Sequence, residues 1–214
     1  MSDARAYHEG ELEIARSPGD PRRILPNVPP NARRVLDVGC GAGQSLIALG
    51  LPATTLAVGI DRDSDALSLG ATWTRDVQFA CGSGESLPFA DETFDFVFSR
   101  VALPYMHVPT ALNEIHRVLA PDGRVWLVLH GPRIVFSQLA EAVRGGHAKS
   151  ALFQSYAAVN GALYHLTGRL LRWPVGGRYK SFQTRRIVPR LRGAGFTDIV
   201  VETAPHFILQ ARRA

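Results

Sequence analysis

The order of apolar runs along the sequence most constrains its fold. Short runs rich in Val, Ile, Leu and Phe predict strands at residues 33–39, 54–61, 77–82, 94–99 and 124–130. Segments with helical spacing of apolar residues lie between them, at residues 44–50, 64–72 and 110–119. Strands that alternate with helices predict an α/β fold, in which a doubly wound, mostly parallel sheet carries helices on both faces.

The two ends of the sequence add further elements. Residues 20–25 predict a short helix before the first strand, and residues 186–196 predict a late helix. Residues 197–203 and 206–212 predict two closing strands, joined through Pro205 as an antiparallel pair. In a sheet of this kind, ligands bind beyond the carboxyl ends of the strands, at the point where the strand order reverses.

The composition is that of a single globular domain over residues 1–214. Apolar residues make up 46% of the chain and charged residues 20%, and no apolar run approaches the length of a membrane-spanning helix. The N-terminal residues are polar and acidic, so we expect no signal peptide. Two cysteines, with no Cys/His cluster at zinc spacing, predict a cytoplasmic protein without a disulfide scaffold or a metal site.

Charge is distributed unevenly along the chain. Residues 1–132 hold 11 Lys and Arg against 16 Asp and Glu, a net charge of −5, whereas residues 133–214 hold 13 against 3, a net charge of +10. A basic C-terminal third is compatible with an anionic substrate, nucleic acid or a membrane surface. Because the arginines are dispersed, without a block of about five like charges, the pattern favours a solvated surface over nucleic-acid binding.

The loop after the first strand has the sequence VLDVGCGAGQ, in which Asp37 precedes three alternating glycines. A dinucleotide-binding loop needs glycine at the position of Gln44, and a phosphate-binding P-loop needs a following lysine. A carboxylate would also repel a pyrophosphate, whereas Asp37 can pair with an ammonium group. The loop therefore predicts a ligand with a cationic part and a flat nucleoside part. The alternative is a plain strand-to-helix turn whose aspartate caps the helix.

Asp61 ends the second strand, 20 residues after Gly41. An acidic side chain at this place can accept hydrogen bonds from both ribose hydroxyls of a nucleoside. Taken alone, Asp61 is explained as an exposed aspartate of the turn IDRDSD. Together with the glycine loop, it predicts a ligand that carries a ribose.

Four segments resemble successive motifs of one enzyme family. VLDVGCGAG, AVGIDRD, GSGESLPFADETFDFVFS and HRVLAPDGRVWL are similar, in order and spacing, to motifs of the class I S-adenosylmethionine-dependent methyltransferases. The likeness covers residues 33–130 and is to the small-molecule branch (methyltransferase type 11), which includes the ubiquinone and menaquinone methyltransferases. It implies a Rossmann-like sheet of seven strands with an antiparallel last strand. It also implies S-adenosylmethionine as cofactor and S-adenosylhomocysteine as product.

The resemblance further implies the residues that bind the cofactor, which are Asp37, Gly39, Cys40, Gly41, Gly43, Asp61, Arg62, Ser83, Gly84, Glu85, Ser99 and Arg100. Asp37 and the glycines match the loop around the methionine part, and Asp61 matches the ribose-binding acid. Ser83 stands where the family usually has Asp, so a neutral hydrogen bond to the adenine replaces a charge-assisted one. Ser99 and Arg100 match the position that flanks the methyl donor.

Methyl transfer from a sulfonium is an in-line displacement. The protein supplies positioning, desolvation and, where the nucleophile must lose a proton, a general base. The candidates for catalysis are Tyr105 and His107, which follow the fourth strand, and His130, which ends the fifth. A capping or structural role is the alternative for each, and it is the commoner one. Tyr7 and His8 are candidates for a flap over the cofactor.

Residues 131–182 interrupt the sheet pattern and predict a helical lid over the carboxyl edge of the sheet. One apolar stripe recurs at helical spacing through Leu152, Tyr156, Val159, Leu163, Leu166 and Leu170. The stripe either packs on the core or faces an organic substrate. Five arginines are candidates for contacts to a carboxylate or phosphate at the rim: Arg133, Arg144, Arg169, Arg172 and Arg178.

These observations predict a methyltransferase that acts on a small, partly apolar or aromatic methyl acceptor, without membrane insertion. Methylation of RNA or protein is one alternative, suggested by the basic C-terminal third. An S-adenosylmethionine-binding protein without catalysis is the other, suggested by the changed adenine-binding segment.

Overall fold

The computed structural model describes residues 3–177 and 179–214; Arg178, one of the rim candidates, lies outside the described residues. The strands are β1 Arg34–Val38, β2 Leu56–Asp61, β3 Val77–Cys81, β4 Phe94–Arg100, β5 Leu119–Leu129, β6 Phe196–Glu202 and β7 Phe207–Arg213. The α-helices are α1 Asp3–Arg16, α2 Gln44–Leu49, α3 Ser64–Trp73, α4 Val108–Val118, α5 Pro132–Arg144, α6 Ala148–Thr167 and α7 Val188–Gly193. Short 3₁₀ turns occupy Leu103–Tyr105 and Arg185–Ile187.

The seven strands form one sheet in the order β3-β2-β1-β4-β5-β7-β6. Strands β1 to β5 pair in parallel, and β7 runs antiparallel to both β5 and β6. The predicted fold class, a Rossmann-like and mostly parallel sheet with an antiparallel last strand, is confirmed. The strand order reverses at β1, whose neighbours are β2 and β4, so the carboxyl end of β1 lies at the switch point.

Hydrophobic clusters cover both faces of the sheet, and local signals begin the helices. Leu112 and Ile115 of α4 belong to the larger cluster, while Phe96 and Trp126 belong to the cluster on the other face. Asp63 caps α3, because its side chain accepts hydrogen bonds from the first backbone N–H groups of the helix at 3.0 and 3.1 Å. None of the helices in the described part of the chain is long and apolar enough to cross a membrane.

The N-terminal segment differs from the prediction. Helix α1 was not predicted, and residues 20–25 form turns and extended chain instead of the predicted short helix. The Asp20 carboxylate accepts the backbone N–H of Arg22 at 2.8 Å and pairs with its guanidinium at 2.7 Å, which stabilises a turn. Helix α1 packs instead against α2 and α3. Its docking places the N-terminal residues beside the carboxyl edge of the sheet.

The predicted apolar stripe is not the buried face of α6. Leu152, Val159 and Leu166 are 61%, 64% and 75% exposed. The buried face carries Gln154, Ala157, Asn160, Gly161 and Tyr164. At Gly161 a Cβ atom would lie 2.4 Å from Cδ1 of Phe182, so the absence of a side chain lets this ring reach the helix. Small and polar residues, together with Tyr164, therefore form the buried face of α6, and the alternative that the stripe packs on the core does not hold for Leu152, Val159 and Leu166.

Candidate functional site

The candidate site lies at the carboxyl ends of β1 and β4. The loop of residues 39–43 leaves β1 there and leads into α2. Its backbone is held against β2, because the N–H groups of Gly39 and Cys40 both donate to the carbonyl of Ile60, at 2.8 and 3.0 Å. The predicted glycine loop therefore borders the ligand-binding edge of the sheet.

Asp37 places a buried carboxyl behind this loop. The residue is 2% exposed, and its Oδ1 atom has no hydrogen-bond partner among the described residues. Burial raises the pKa of Asp37 to about 8, with a smaller lowering by Arg100 and a smaller raising by Asp61. Because an unsatisfied buried polar group is costly, the site favours a cationic or hydrogen-bond-donating ligand at this atom.

Gly39 and Gly41 of the loop lack a side chain for different structural reasons. At Gly39, with φ +78°, a Cβ atom would lie 2.1 Å from Cβ of Ala102, so packing against the loop after β4 excludes any side chain. At Gly41, with φ +56°, a Cβ atom would meet only the side chains of His8 and Gln44, at 3.3 and 3.4 Å. Gly41 thus presents bare backbone to the site, where a ligand can lie close to it.

The Asp61 carboxylate braces the glycine loop. Its Oδ2 atom accepts the N–H of Gly41 at 2.8 Å, and its Oδ1 atom accepts the N–H of Asp63 at 3.0 Å. An ionised carboxylate offers about four lone-pair positions, so acceptor capacity remains for hydroxyl groups. Ribose binding by Asp61 stays a prediction, and the structure adds a positioning role for the same side chain.

Helix α1 covers the loop. Arg100 donates to the Glu11 carboxylate at 2.7 Å, and the side chains of His8 and Gln44 share a hydrogen bond of 2.8 Å. The cavity between α1 and the loop measures about 90 Å³ and includes Tyr7 in its lining. Pockets that enclose small ligands measure about 300–1,000 Å³. The cavity at Asp37 is therefore small in this arrangement of α1, and the flap role of Tyr7 and His8 stays a prediction.

Residues 83–85 form a tight turn beside the end of β1. The Ser83 hydroxyl accepts the N–H of Glu85 at 3.1 Å, and the Glu85 carboxylate accepts the N–H of His107 at 2.9 Å. At Gly84 a Cβ atom would lie 2.7 Å from Cγ1 of Val38. The turn is therefore packed against β1 and joined to the start of α4. Adenine binding by these residues stays a prediction.

Two of the predicted cofactor residues point into the protein. The Ser99 hydroxyl is fully buried and donates to the carbonyl of Val38 at 2.7 Å. Cys40 is buried against β2, where a Cβ atom on Gly59 would lie 2.7 Å from its Sγ atom, and burial raises its thiol pKa well above the ordinary value. The Ser99 and Cys40 side chains therefore stabilise the loop through contacts with β1 and β2. Arg62 lies exposed after β2, and its contact with a ligand stays a prediction.

His107 occupies the start of α4. Its Nδ1 atom shares a hydrogen bond of 2.7 Å with the hydroxyl of Thr110, and its ring centroid lies 5.4 Å from that of Tyr179. These contacts match the structural alternative for His107. Its other ring nitrogen remains available to the catalytic role, which stays a prediction.

His130 and Tyr105 lie together, with ring centroids 5.7 Å apart. His130 is buried, and its Nδ1 atom has no partner within the described part of the chain. Burial, and to a smaller extent the charge of Lys180, lowers the pKa of His130 to about 4, so the imidazole is neutral at neutral pH. Burial also raises the pKa of Tyr105, which is therefore a phenol under the same conditions. The pair can accept or donate hydrogen bonds while both groups remain neutral.

Sequence reasoning missed three residues of this region. Glu11 and Gln44 line the cavity under α1, and Lys180 lies buried beside His130. Gln44 follows the glycine loop directly, which was an available signal, whereas the place of Glu11 depends on the docking of α1. A lysine between aromatic residues, in RYKSF, was the signal for Lys180. In residues 3–177 and 179–214, no group of three or more His, Cys, Asp and Glu could hold a metal ion.

The chain is similar to known methyltransferases. Residues 36–127 match a family model described as a methyltransferase domain. The chain is 36% identical over 103 residues to the uncharacterized methyltransferase YcgJ of Bacillus subtilis, a match that covers 45% of this chain and 40% of that protein. It is 35% identical over 118 residues to the malonyl-[acyl-carrier protein] O-methyltransferase of Halorhodospira halophila, with 51% and 40% covered.

A third relative is the mitochondrial arginine-hydroxylase NDUFAF5 of Homo sapiens, 33% identical over 151 residues, with 67% of this chain and 43% of that protein covered. The chain thus spans less than half the length of each of these three relatives. Among solved structures, a SAM-dependent methyltransferase from Methanosarcina mazei has a TM-score of 0.57 at 21% identity, with 87% of this chain and 94% of that chain covered. At this identity the structural likeness shows the fold.

Proposed function

Because this chain belongs to the class I S-adenosylmethionine-dependent methyltransferases, we propose that it transfers the methyl group of S-adenosylmethionine to a small, partly apolar or aromatic molecule. The observation that carries the proposal is the buried, unpartnered Oδ1 atom of Asp37 beside the bare backbone of Gly41. A carboxylate and open backbone in one loop suit a ligand that joins an ammonium group to a nucleoside.

The residues of the site fit this cofactor. Asp37 can pair with its ammonium group, and the remaining acceptor capacity of Asp61 suits its ribose hydroxyls. When bound, S-adenosylmethionine supplies an electrophilic methyl group. The chain itself holds the acceptor in line and excludes water, which provide most of the rate in such a displacement.

The acceptor side of the site is the region around His130. A cavity of about 540 Å³ adjoins this residue and is lined by Ile134 and Phe207 together with Arg133 and His206. Its volume lies within the range of about 300–1,000 Å³ that suits a small organic ligand. The neutral His130 can accept a hydrogen bond from an acceptor hydroxyl, whereas its pKa of about 4 makes it a weak general base. Helices α5 and α6 in residues 131–182 act in this proposal as the lid that selects the acceptor.

The test measures cofactor binding and methyl transfer separately. S-adenosylhomocysteine at a hundred times Kd should stabilise the folded protein by about 2.7 kcal/mol, whereas NAD should not. Asp61→Ala should weaken this stabilisation, because the substitution removes an acceptor and the brace of Gly41. Methyl transfer is then assayed over phenols, quinone precursors, carboxylic acids and amines. Equal stabilisation by NAD would contradict the assignment of the cofactor.

Two other functions remain as candidates. One is methylation of a macromolecule, RNA or protein, and the other is cofactor binding without methyl transfer. One relative is named for the hydroxylation of arginine, which favours including arginine peptides in the assay. Binding to RNA would weaken steeply between low and moderate salt, because bound counterions are released. Tight binding of S-adenosylhomocysteine with no transfer to any acceptor would favour the non-catalytic candidate.

A further inference from the structure

The chain buries one of its two lysines near the acceptor side of the site. Lys149 is exposed on α6, whereas Lys180 is 3% exposed. The other Lys and Arg side chains of the sequence are arginines. A lysine differs from them in carrying a compact ammonium group with a single centre of charge.

Within the part of the chain that the structure describes, no carboxylate pairs with the Lys180 ammonium group. Its Nζ atom donates to Oε1 of Gln138 and Oε1 of Gln154, both at 3.1 Å. The same atom lies 5.5 Å from the ring centroids of Tyr105 and Phe153. None of the ion pairs among the described residues includes Lys180. The charge is therefore met by two neutral amides and two aromatic rings, and burial lowers the pKa of this lysine.

The backbone at Lys180 and just after it is anchored to three other segments. The N–H of Ser181 donates to the carbonyl of Pro104 at 3.2 Å, and the N–H of Gln183 donates to the carbonyl of His130 at 2.7 Å. The buried Asn160 side chain donates to the carbonyl of Lys180 itself at 3.0 Å. These bonds tie the segment to the end of β5, to the 3₁₀ turn after β4 and to α6. The ammonium group is thus held in place by the fold.

Tyr105 connects this group with the cofactor side of the site. Its ring faces Lys180 and His130, and it lies close enough to Tyr7 of the glycine-loop cavity for that phenol to influence its pKa. An acceptor seated against Tyr105 would therefore lie close to both Lys180 and His130.

We propose that Lys180 binds a carboxylate group of the methyl acceptor, an inference that rests on the function proposed above. An ammonium group has three N–H donors, of which the two glutamines take two. The third can be used by a ligand. A buried, unpaired charge is costly, and an anion that enters with the acceptor would complete the pair.

The charge count favours a carboxylate over a phosphate. Of the titratable groups around Lys180, Tyr105 has a raised pKa and His130 has a pKa of about 4, so both are neutral at neutral pH. Arg133 lines the cavity beside His130, and it has no hydrogen bond to Lys180 or its two glutamines among the described residues. One positive charge balances one carboxylate, whereas a phosphate dianion would remain partly uncompensated in a buried place. A bridging role, in which Lys180 only joins α5 to α6 through the two glutamines, is the alternative that the test must separate.

The test compares matched acids and amides on the native protein saturated with S-adenosylhomocysteine. The pairs are phenylpropanoate with phenylpropanamide and benzoate with benzamide, which differ in charge and little in shape. We expect the acid of each pair to bind about tenfold more tightly by calorimetry, as a charge-assisted hydrogen bond predicts. Equal binding of acid and amide would overturn the proposal, and so would tighter binding of phenyl phosphate than of phenylpropanoate.

Substitutions then test whether Lys180 causes the preference for the acid over the amide. Lys180→Met should reduce the preference for the acid to within about twofold, and Lys180→Arg should retain part of it, since the charge remains. Lys149→Met removes an exposed charge and is the matched control, which should keep the full preference. A preference that survives Lys180→Met would overturn the assignment to this residue.

A second readout does not depend on any substitution of Lys180. With two lysines in the chain, protein labelled with ¹³C-lysine gives two sets of side-chain NMR signals, which Lys149→Met assigns. Phenylpropanoate should shift the Lys180 signal and leave that of Lys149 unchanged, whereas phenylpropanamide should shift neither. An unshifted Lys180 signal at saturating phenylpropanoate would overturn the proposal. Carboxylate binding without methyl transfer to any acceptor would support the anchor and contradict the proposed function.

Discussion

At the scale of single residues, the site combines two buried ionisable groups, the carboxyl group of Asp37 and the amino group of Lys180. Asp37 lies behind the glycine loop with an unpartnered oxygen, and Lys180 lies under α5 and α6 without a carboxylate. Neither group stabilises the free protein, because each is removed from water without a charged partner in hydrogen-bond contact. Both are therefore suited to binding a ligand group of opposite charge.

Asp37→Asn should stabilise the free protein while weakening cofactor binding. The pKa of Asp37 is raised by burial from its ordinary value near 4 to about 8. The stability that its protonation contributes is present below about pH 4 and is lost as the pH rises toward 8. Asparagine does not titrate, so the melting temperature of Asp37→Asn relative to the native protein should increase from pH 5 to pH 8. A difference that stays constant over this range would contradict the raised pKa.

The same substitution has an opposite effect on binding. Loss of a charge-assisted hydrogen bond costs about 1.5–3 kcal/mol, so Asp37→Asn should bind S-adenosylhomocysteine roughly 10- to 100-fold more weakly. In the native protein, affinity should rise from pH 6 to pH 7.5 as the carboxyl ionises, whereas the variant should show little change. Calorimetry at the two pH values measures both effects.

At the scale of elements, α1 closes the site. Its ion pair between Glu11 and Arg100 is partly buried, with side-chain exposures of 24% and 19%, and spans the cavity of about 90 Å³. Because this cavity is small, we expect α1 to move and this ion pair to open or shift when a ligand binds beside Asp37.

Glu11→Gln should therefore increase the rate at which S-adenosylhomocysteine associates, with a loss of stability of about 1 kcal/mol or less. Stopped-flow fluorescence measures the association rate. Glu9→Gln is the matched control, since Glu9 pairs with Arg5 on the same helix at an exposed place. It should leave the rate unchanged. Equal effects of the two substitutions would show that the Glu11 pair does not hold α1 closed.

At the scale of the whole molecule, the segment 131–182 is part of the main core. Tyr164 of α6 is fully buried and belongs to the same cluster as Ile187 and Leu191. Excision of this segment would remove Tyr164 from that cluster and expose its neighbours. For this reason the acceptor preference of the lid is tested by single substitutions such as Lys180→Met.

This packing predicts that α6 unfolds together with the sheet. Amide hydrogen exchange should show residues 160–164 of α6 and residues 125–129 of β5 opening with similar free energies in the global unfolding reaction. Their shared core cluster is the physical reason. Exchange in residues 160–164 that is much faster than in β5, under conditions where the sheet stays protected, would instead indicate a separable lid.

The sequence determined the order and type of the central elements. The runs that became β1, β2, β4 and β5 are apolar because central parallel strands are buried on both faces, and this burial is visible locally. Asp63 begins α3 through bonds to residues two and three positions ahead, which is also a local signal. The position of the glycine loop followed from the same reasoning, because the end of the first strand is the switch point of such a sheet.

The tertiary structure alone decided what surrounds that loop. Glu11 reaches Arg100 across 89 positions of sequence, and no local pattern specifies the docking of α1. On α6, periodicity selected the leucines, but the buried face was decided by the approach of Phe182 to Gly161. Lys180 is buried because three separate segments close around it through backbone bonds. Local periodicity records which residues are apolar, whereas contacts between distant segments decide which of them are covered, and by what.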